Sequence, residues 1–231
     1  MENKIYIDQN LGDIVTEDFR SAEIFKESGL DFCCGGNKTL SQACKEKDID
    51  LQSIVEKLNE LDVYSGKPVH NYKDWDLGFL SDYIINTHHK YVIKTLPDLV
   101  FYTDKIAKVH GDHHPELIRV ADLFAQINTE LNQHLRNEEE VLFPAIKSAL
   151  KKADSENRSV ILSEISRMTT EHEFAGSAMD EINRITTGYL LPKDACKTYQ
   201  VSLELLRQFE DDLHVHVHLE NNILYPKALK L

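Results

Sequence analysis

Residues 134–144 read HLRNEEEVLFP and residues 216–226 read HVHLENNILYP. The second stretch repeats the first 82 residues later: His134, Glu138, Leu142, Phe143 and Pro144 return as His216, Glu220, Leu224, Tyr225 and Pro226. A histidine and a glutamate four residues apart on a helix lie one above the other, so each copy offers a nitrogen and a carboxylate to one place. Each pair also continues an apolar stripe. Val120, Phe124, Ile127 and Leu131 step by four and three into His134, Glu138 and Val141, and Tyr199, Leu206, Phe209 and Leu213 lead to His216, Glu220 and Ile223. Ile161, Ile165 and Met168 lead likewise to His172, with Ala175, Met179 and Ile182 following in phase. A histidine precedes each copy by a similar interval, His89 by 45 residues and His172 by 44. His88 continues the Leu80 and Ile84 stripe about as well as His89 continues Ile85, and the interval favours His89.

Working outward, the periodicity predicts four long amphipathic helices over 76–109, with a kink at Pro97, then 115–151, 155–187 and 193–229. They form a four-helix bundle of two related hairpins with polar groups at its centre. Residues 1–62 form a separate small helical domain. There Thr16 caps a helix over 17–28 that ends at Gly29, Thr39 and Gln42 have capping-box spacing for a helix to about Lys47, and Asp50 caps a third with Leu51, Ile54, Val55, Leu58 and Leu61 on one face. Residues 63–75, with Ser65-Gly66-Lys67-Pro68, lose the periodicity and read as a linker, leaving 76–231 as the bundle. The class is all-α. With 9 Gly and 6 Pro in 231 residues, the chain has little turn chemistry for a β fold.

The formal net charge is −13, and no Lys/Arg block interrupts it. Nucleic acid and anionic membrane both need a basic face, so neither is an expected partner. No apolar run approaches a membrane span, and Met1 to Leu11 lacks the apolar core of a signal peptide, which predicts a cytoplasmic protein. Four cysteines, Cys33, Cys34, Cys44 and Cys196, are too few for a disulfide framework in a chain this long and read as reduced thiols.

Four imidazoles and two carboxylates on core faces would be costly to bury without a cation. Imidazole with carboxylate and no thiolate favours iron or manganese over structural zinc. The expected site is a binuclear iron centre, bridged by carboxylate and by an oxo or hydroxo group. Its ligands are His89 and His134 on one side, His172 and His216 on the other, and Glu138 and Glu220 between them, although the spacing leaves open which histidines share an iron. Glu130 and Asp212, four residues before His134 and His216, are candidates to hold the second imidazole nitrogens, with Glu171 acting similarly beside His172. His110 is placed where it could approach the site. His70, His214 and His218 read as surface residues, Glu139 and Glu140 as solvated charges, and Cys44 and Cys196 as core fillers. Cys33-Cys34-Gly35-Gly36 forms a tight turn near the helix start at Thr39, which would favour thiolates able to bind metal transiently or exchange electrons.

Asp31-Phe32-Cys33-Cys34-Gly35-Gly36 with Thr39-Leu40 resembles the N-terminal domain of the iron-sulfur cluster repair di-iron proteins, the repair-of-iron-centres family. His89, the stretch His134 to Pro144, Glu171-His172 and the stretch His216 to Pro226 resemble that family's haemerythrin-like domain, in the same order along the chain. The resemblance implies that His89, His134, Glu138, His172, His216 and Glu220 are iron ligands. It implies a protein that repairs iron-sulfur clusters damaged by nitric oxide or peroxide, acting as an iron donor on damaged iron-sulfur proteins, with Cys33 and Cys34 in partner contact or transfer. A homodimer is expected by the same resemblance. The alternatives are nitric oxide reduction at the open iron positions, or a reversible oxygen or nitric oxide carrier or sensor; the Cys-Cys domain counts against the carrier.

Overall fold

The computed structural model describes residues 6–63, 71–152 and 155–231. Among them all regular structure is helical. The elements are α1 (Leu11–Glu17), α2 (Ser21–Glu27), α3 (Leu40–Glu46), α4 (Leu51–Val63), α5 (Leu77–Ile84), π1 (Ile85–His89), α6 (Lys90–His110), α7 (Glu116–Asn137), π2 (Glu138–Leu142), α8 (Phe143–Lys151), α9 (Ser155–Ile185), α10 (Lys197–His218), π3 (Leu219–Leu224) and α11 (Tyr225–Ala228). Three of the four expected long helices are therefore interrupted by a π-helical turn. Pro97 stands inside an unbroken α6, and the irregularity of the first long helix falls at 85–89 instead.

The chain divides into two compact units, 1–80 with 217–230, and 81–216 with the terminal Leu231. In the second unit the stripes predicted from the sequence are the core. Phe124, Ile127, Met168, Met179, Leu206 and Phe209 are buried, and Phe124 meets Phe209 edge to face with centroids 5.4 Å apart. Each such side chain contributes on the order of 1.5–3 kcal/mol on burial.

In the first unit, the predicted helix over 17–28 is two helices. Asp18 is extended, its carboxylate accepts from the Arg20 backbone N–H at 3.1 Å, and its carbonyl accepts from the Ser21 hydroxyl at 2.7 Å. These bonds end α1 and open α2, so Thr16 caps nothing and the apolar Leu11, Ile14 and Val15 form a helix face ahead of it. The Thr39 and Gln42 capping box forms as expected, and Gly29 takes φ +67° after α2. Most of the expected linker, 64–70 and His70 with it, lies outside the described residues. Tyr72–Asp74 is a 3₁₀ turn packed against Phe19, with the Trp75 carbonyl accepting from Lys227 Nζ at 2.9 Å.

The segment 217–230 is held to the cysteine turn of the same unit. Asn222 Nδ2 donates to the Phe32 carbonyl at 3.1 Å and the Cys33 carbonyl at 3.3 Å, and Asn221 Nδ2 donates to the Cys33 carbonyl at 3.3 Å. A Cβ on Gly36 would lie 2.5 Å from the Phe32 carbonyl oxygen and 2.6 Å from Asn222 Oδ1, so glycine there provides room for close approach rather than a special φ. His218 is a correction to its surface assignment. It is fully buried beside Phe19 and Phe32, accepts a contact from Asn222 at 3.1 Å, and burial pushes its pKa down to about 3, which keeps it neutral.

Candidate metal centre

The π-helical turns coincide with the ligand-type residues. His89 ends π1, Glu138 opens π2, and Glu220 is the second residue of π3. A π turn widens the helix by one residue and re-aims the side chains on it, and such turns are frequent at functional sites. His172 comes from the uninterrupted α9.

Glu138 is the meeting point of the second unit's ligand set. Its Oε2 lies 3.2 Å from His134 Nε2 and 3.4 Å from His89 Nε2, with all three side chains at or below 1% exposure. His134 Nε2 is 3.1 Å from His172 Nε2, and the rings of His89 and His216 have centroids 5.1 Å apart. The donor atoms of His89, Glu138 and His216 lie within 4.8 Å of one another, and so do those of His134, Glu138 and His172. The spacing leaves open which histidines share an ion; in the fold His89 lies with His216, and His134 with His172. Glu220 is fully buried one turn beyond His216, on a helix that runs without a break from α10 through π3, and helix register puts both side chains on one face.

The far nitrogens of two rings are held by carboxylates. His89 Nδ1 is 2.8 Å from Glu139 Oε1, and His134 Nδ1 is 2.7 Å from Glu171 Oε2. The His134 hydrogen bond, more than burial opposes it, holds the Glu171 carboxyl below its ordinary range, with Arg167 and His172 helping, so it is an ionised acceptor for an Nδ1–H. That tautomer turns the Nε2 lone pairs of His89 and His134 toward Glu138 Oε2. Lone pairs of two imidazoles converging on a carboxylate oxygen are the arrangement a cation resolves, and the nitrogen and oxygen donors suit iron or manganese. The residues fit the metal expected of them.

The outer partners differ from those expected. Glu130 is exposed and holds no ligand, whereas Glu171 reaches His134 rather than supporting its neighbour His172. Asp212 holds His88 Nδ1 at 2.9 Å, not His216. His88 itself is buried and stacked on His216, with ring planes 7° apart and centroids at 5.5 Å. Glu139, expected to be solvated, is the partner of His89; its neighbour position after Glu138 is the only sequence signal that pointed to it.

His110 does not approach the centre. Its Nε2 is 3.2 Å from the Sγ of Cys196, which is exposed at the start of α10 and is no core filler. The His110 hydrogen bond and the backbone N–H groups of Tyr199 and Thr198 push the Cys196 thiol down to about 7. Cys33 behaves oppositely to the expectation of a favoured thiolate. The hydrogen bond with Cys34, burial and the charge of Asp31 push it well above its ordinary value. The two sulfurs are 3.9 Å apart, and the Asp31 carboxylate accepts from the backbone N–H groups of Cys33, Cys34 and Gly35 at 2.8–3.0 Å, taking the donors that would otherwise favour a thiolate.

Residues 7–62 match the ScdA_N domain, described as a domain of unknown function, and residues 81–228 match the hemerythrin HHE cation binding domain. The chain is 34% identical over 219 residues to the iron-sulfur cluster repair protein ScdA of Staphylococcus epidermidis, covering 94% of this chain and 96% of that one. It is 34% identical over 228 residues to the iron-sulfur cluster repair protein YtfE of Pectobacterium carotovorum, covering 97% and 98%. A probable iron-sulfur cluster repair protein of Haemophilus influenzae is 34% identical over 227 residues, covering 97% and 98%.

Proposed function

The chain belongs to the family of iron-sulfur cluster repair proteins, and from that premise we propose that it restores damaged iron-sulfur clusters by donating iron from a binuclear centre. The observation that carries this reading is the position of Glu138, whose one carboxylate serves both histidine groups. His89 and His216 would hold one iron and His134 and His172 the other, with Glu138 as the carboxylate near both histidine groups; Glu220, one turn after His216 on the same helix, would be the second carboxylate. The ions, when bound, supply transferable iron and open positions for a small ligand.

The chain's own residues set how firmly that iron is held. Glu139 and Glu171 fix the ring planes of His89 and His134 and raise the basicity of their Nε2 atoms. The Phe143 ring, stacked 5.7 Å from His89, covers it on the apolar side and limits water. Nitrogen and oxygen donors without thiolate hold iron less tightly than a sulfur cage would, which suits a donor. No helix among the described residues is long and apolar enough to cross a membrane, and damaged iron-sulfur proteins are the partners.

The test loads purified protein with iron and offers it an acceptor whose cluster has been broken by nitric oxide. Cluster recovery with stoichiometric loss of iron from the donor is expected, and multiple turnovers of gas with iron retained would overturn the donor reading. Glu138→Ala with Glu220→Ala is expected to abolish tight iron binding; two firmly bound irons in that variant would remove the proposed centre.

A further inference from the structure

A second group of metal-ligating side chains lies on the α9 and α10 flank, apart from the residues assigned above. Asp180 on α9, and Glu210 and His214 on α10, each offer a donor atom, and these atoms lie within 4.8 Å of one another. Glu210 and His214 have the four-residue spacing that stacks them on one helix face. Asp180 is exposed and His214 half-buried, so the group opens to solvent on one side, while Glu210 is only 5% exposed at its base.

Glu210 makes this more than a cluster of surface charges. Its Oε2 accepts from Asn183 Nδ2 at 2.9 Å, and no lysine or arginine pairs with it among the described residues. The charged groups around it, Asp180 and Asp211, are of its own sign, and they add to burial in disfavouring its ionised form. A carboxylate removed from water needs a compensating cation or a proton. Arg207, on the same helix as Glu210, is paired with Glu204 at 2.8 Å and, more distantly, with Asp211 at 3.7 Å.

We propose that Asp180, Glu210 and His214 form a mononuclear site for a first-row divalent cation of the manganese(II), iron(II) or zinc(II) class, distinct from the buried centre. Two carboxylate oxygens with one imidazole nitrogen are a donor set of intermediate hardness that suits these ions better than magnesium. The remaining coordination positions, on the Asp180 side, are filled by water. The site spans two helices, so an ion there also clips α9 to α10. It stands on its own donor atoms and does not depend on the repair reading.

The test titrates manganese(II) into the full chain with its buried centre already filled with iron, following free manganese(II) by electron paramagnetic resonance and protein-bound iron by elemental analysis. One saturable manganese(II) per chain is expected, with the iron retained. Asp180→Asn, an isosteric change at an exposed position, and Glu210→Gln are each expected to weaken that binding by about tenfold or more. Absence of saturable binding, manganese uptake matched by loss of iron, or variants that bind as the wild type does would overturn the proposal.

Discussion

Glu171 shows how one side chain sets the character of another. By accepting the Nδ1–H of His134 at 2.7 Å it decides which nitrogen faces Glu138, and the low-lying carboxyl keeps that choice fixed through neutral pH. Glu171→Gln is expected to leave the protein folded but to weaken iron binding by roughly 10–100-fold, measured by competition with a chelator. The cysteines separate at this scale as well. Cys196 is exposed and its thiol is pushed down to about 7, whereas Cys33 is buried and pushed up, so Cys196 is the readier thiolate of the two near neutral pH. Limited alkylation at that pH followed by peptide mass mapping should label Cys196 well ahead of Cys33, and His110→Ala should slow it. Exchange of Cys33 and Cys34 for Ser is expected to spare iron content and impair repair; lost iron would instead make the thiols part of the centre.

Among elements, the π turns distinguish the ligand helices from ordinary amphipathic ones. A regular helix through 134–144 would keep His134 and Glu138 in line, yet Glu139 also has to reach His89 from the next position, and the widened turn at Glu138–Leu142 allows both. Deleting Glu140 should close π2 to a regular helix. The expected result is helical content unchanged by circular dichroism with iron content sharply reduced, because the flanking helices keep their register while Glu138 and Glu139 are re-aimed. The cysteine turn depends on closeness instead. Gly36→Ala places a Cβ against a backbone carbonyl and Asn222, and is expected to cost about 1–3 kcal/mol in denaturant unfolding as an overpacking change.

Metal and proton both enter the stability of the whole molecule. A ligand that binds only the folded state at about 100 times its Kd adds roughly 2.7 kcal/mol. For a chain of this size that corresponds to an increase in Tm of roughly 5–10 °C on iron loading, readable by calorimetry. Glu210 acts in the other direction. Burial first, then Asp180 and Asp211, against the opposing hydrogen bonds of Asn183 and Tyr189, push its pKa from an ordinary 4.5 up to about 7. The unfolded chain therefore releases this proton first, so the contribution is full below pH 4.5 and is lost as pH rises to about 7, by about 3 kcal/mol at most. In metal-free protein, Glu210→Gln should be relatively more stable than the wild type at pH 8 than at pH 5, in paired unfolding curves.

The sequence by itself determined the helical class, the core stripes and the placing of six His and Glu residues on buried helix faces, because period, phase and the repeated His-x3-Glu pairs are local properties of a helix. It did not determine the grouping of His89 with His216, the reach of Glu139 and Glu171 across helices, the departure of His110 to Cys196, or the burial of His218. Those depend on contacts between residues as far apart as 89 and 216, and on π turns whose single added residue leaves no mark in an apolar period. The Cys33 thiol likewise could not be read from its turn, since Asp31 occupies the backbone donors and Cys34 the sulfur only once the chain is folded.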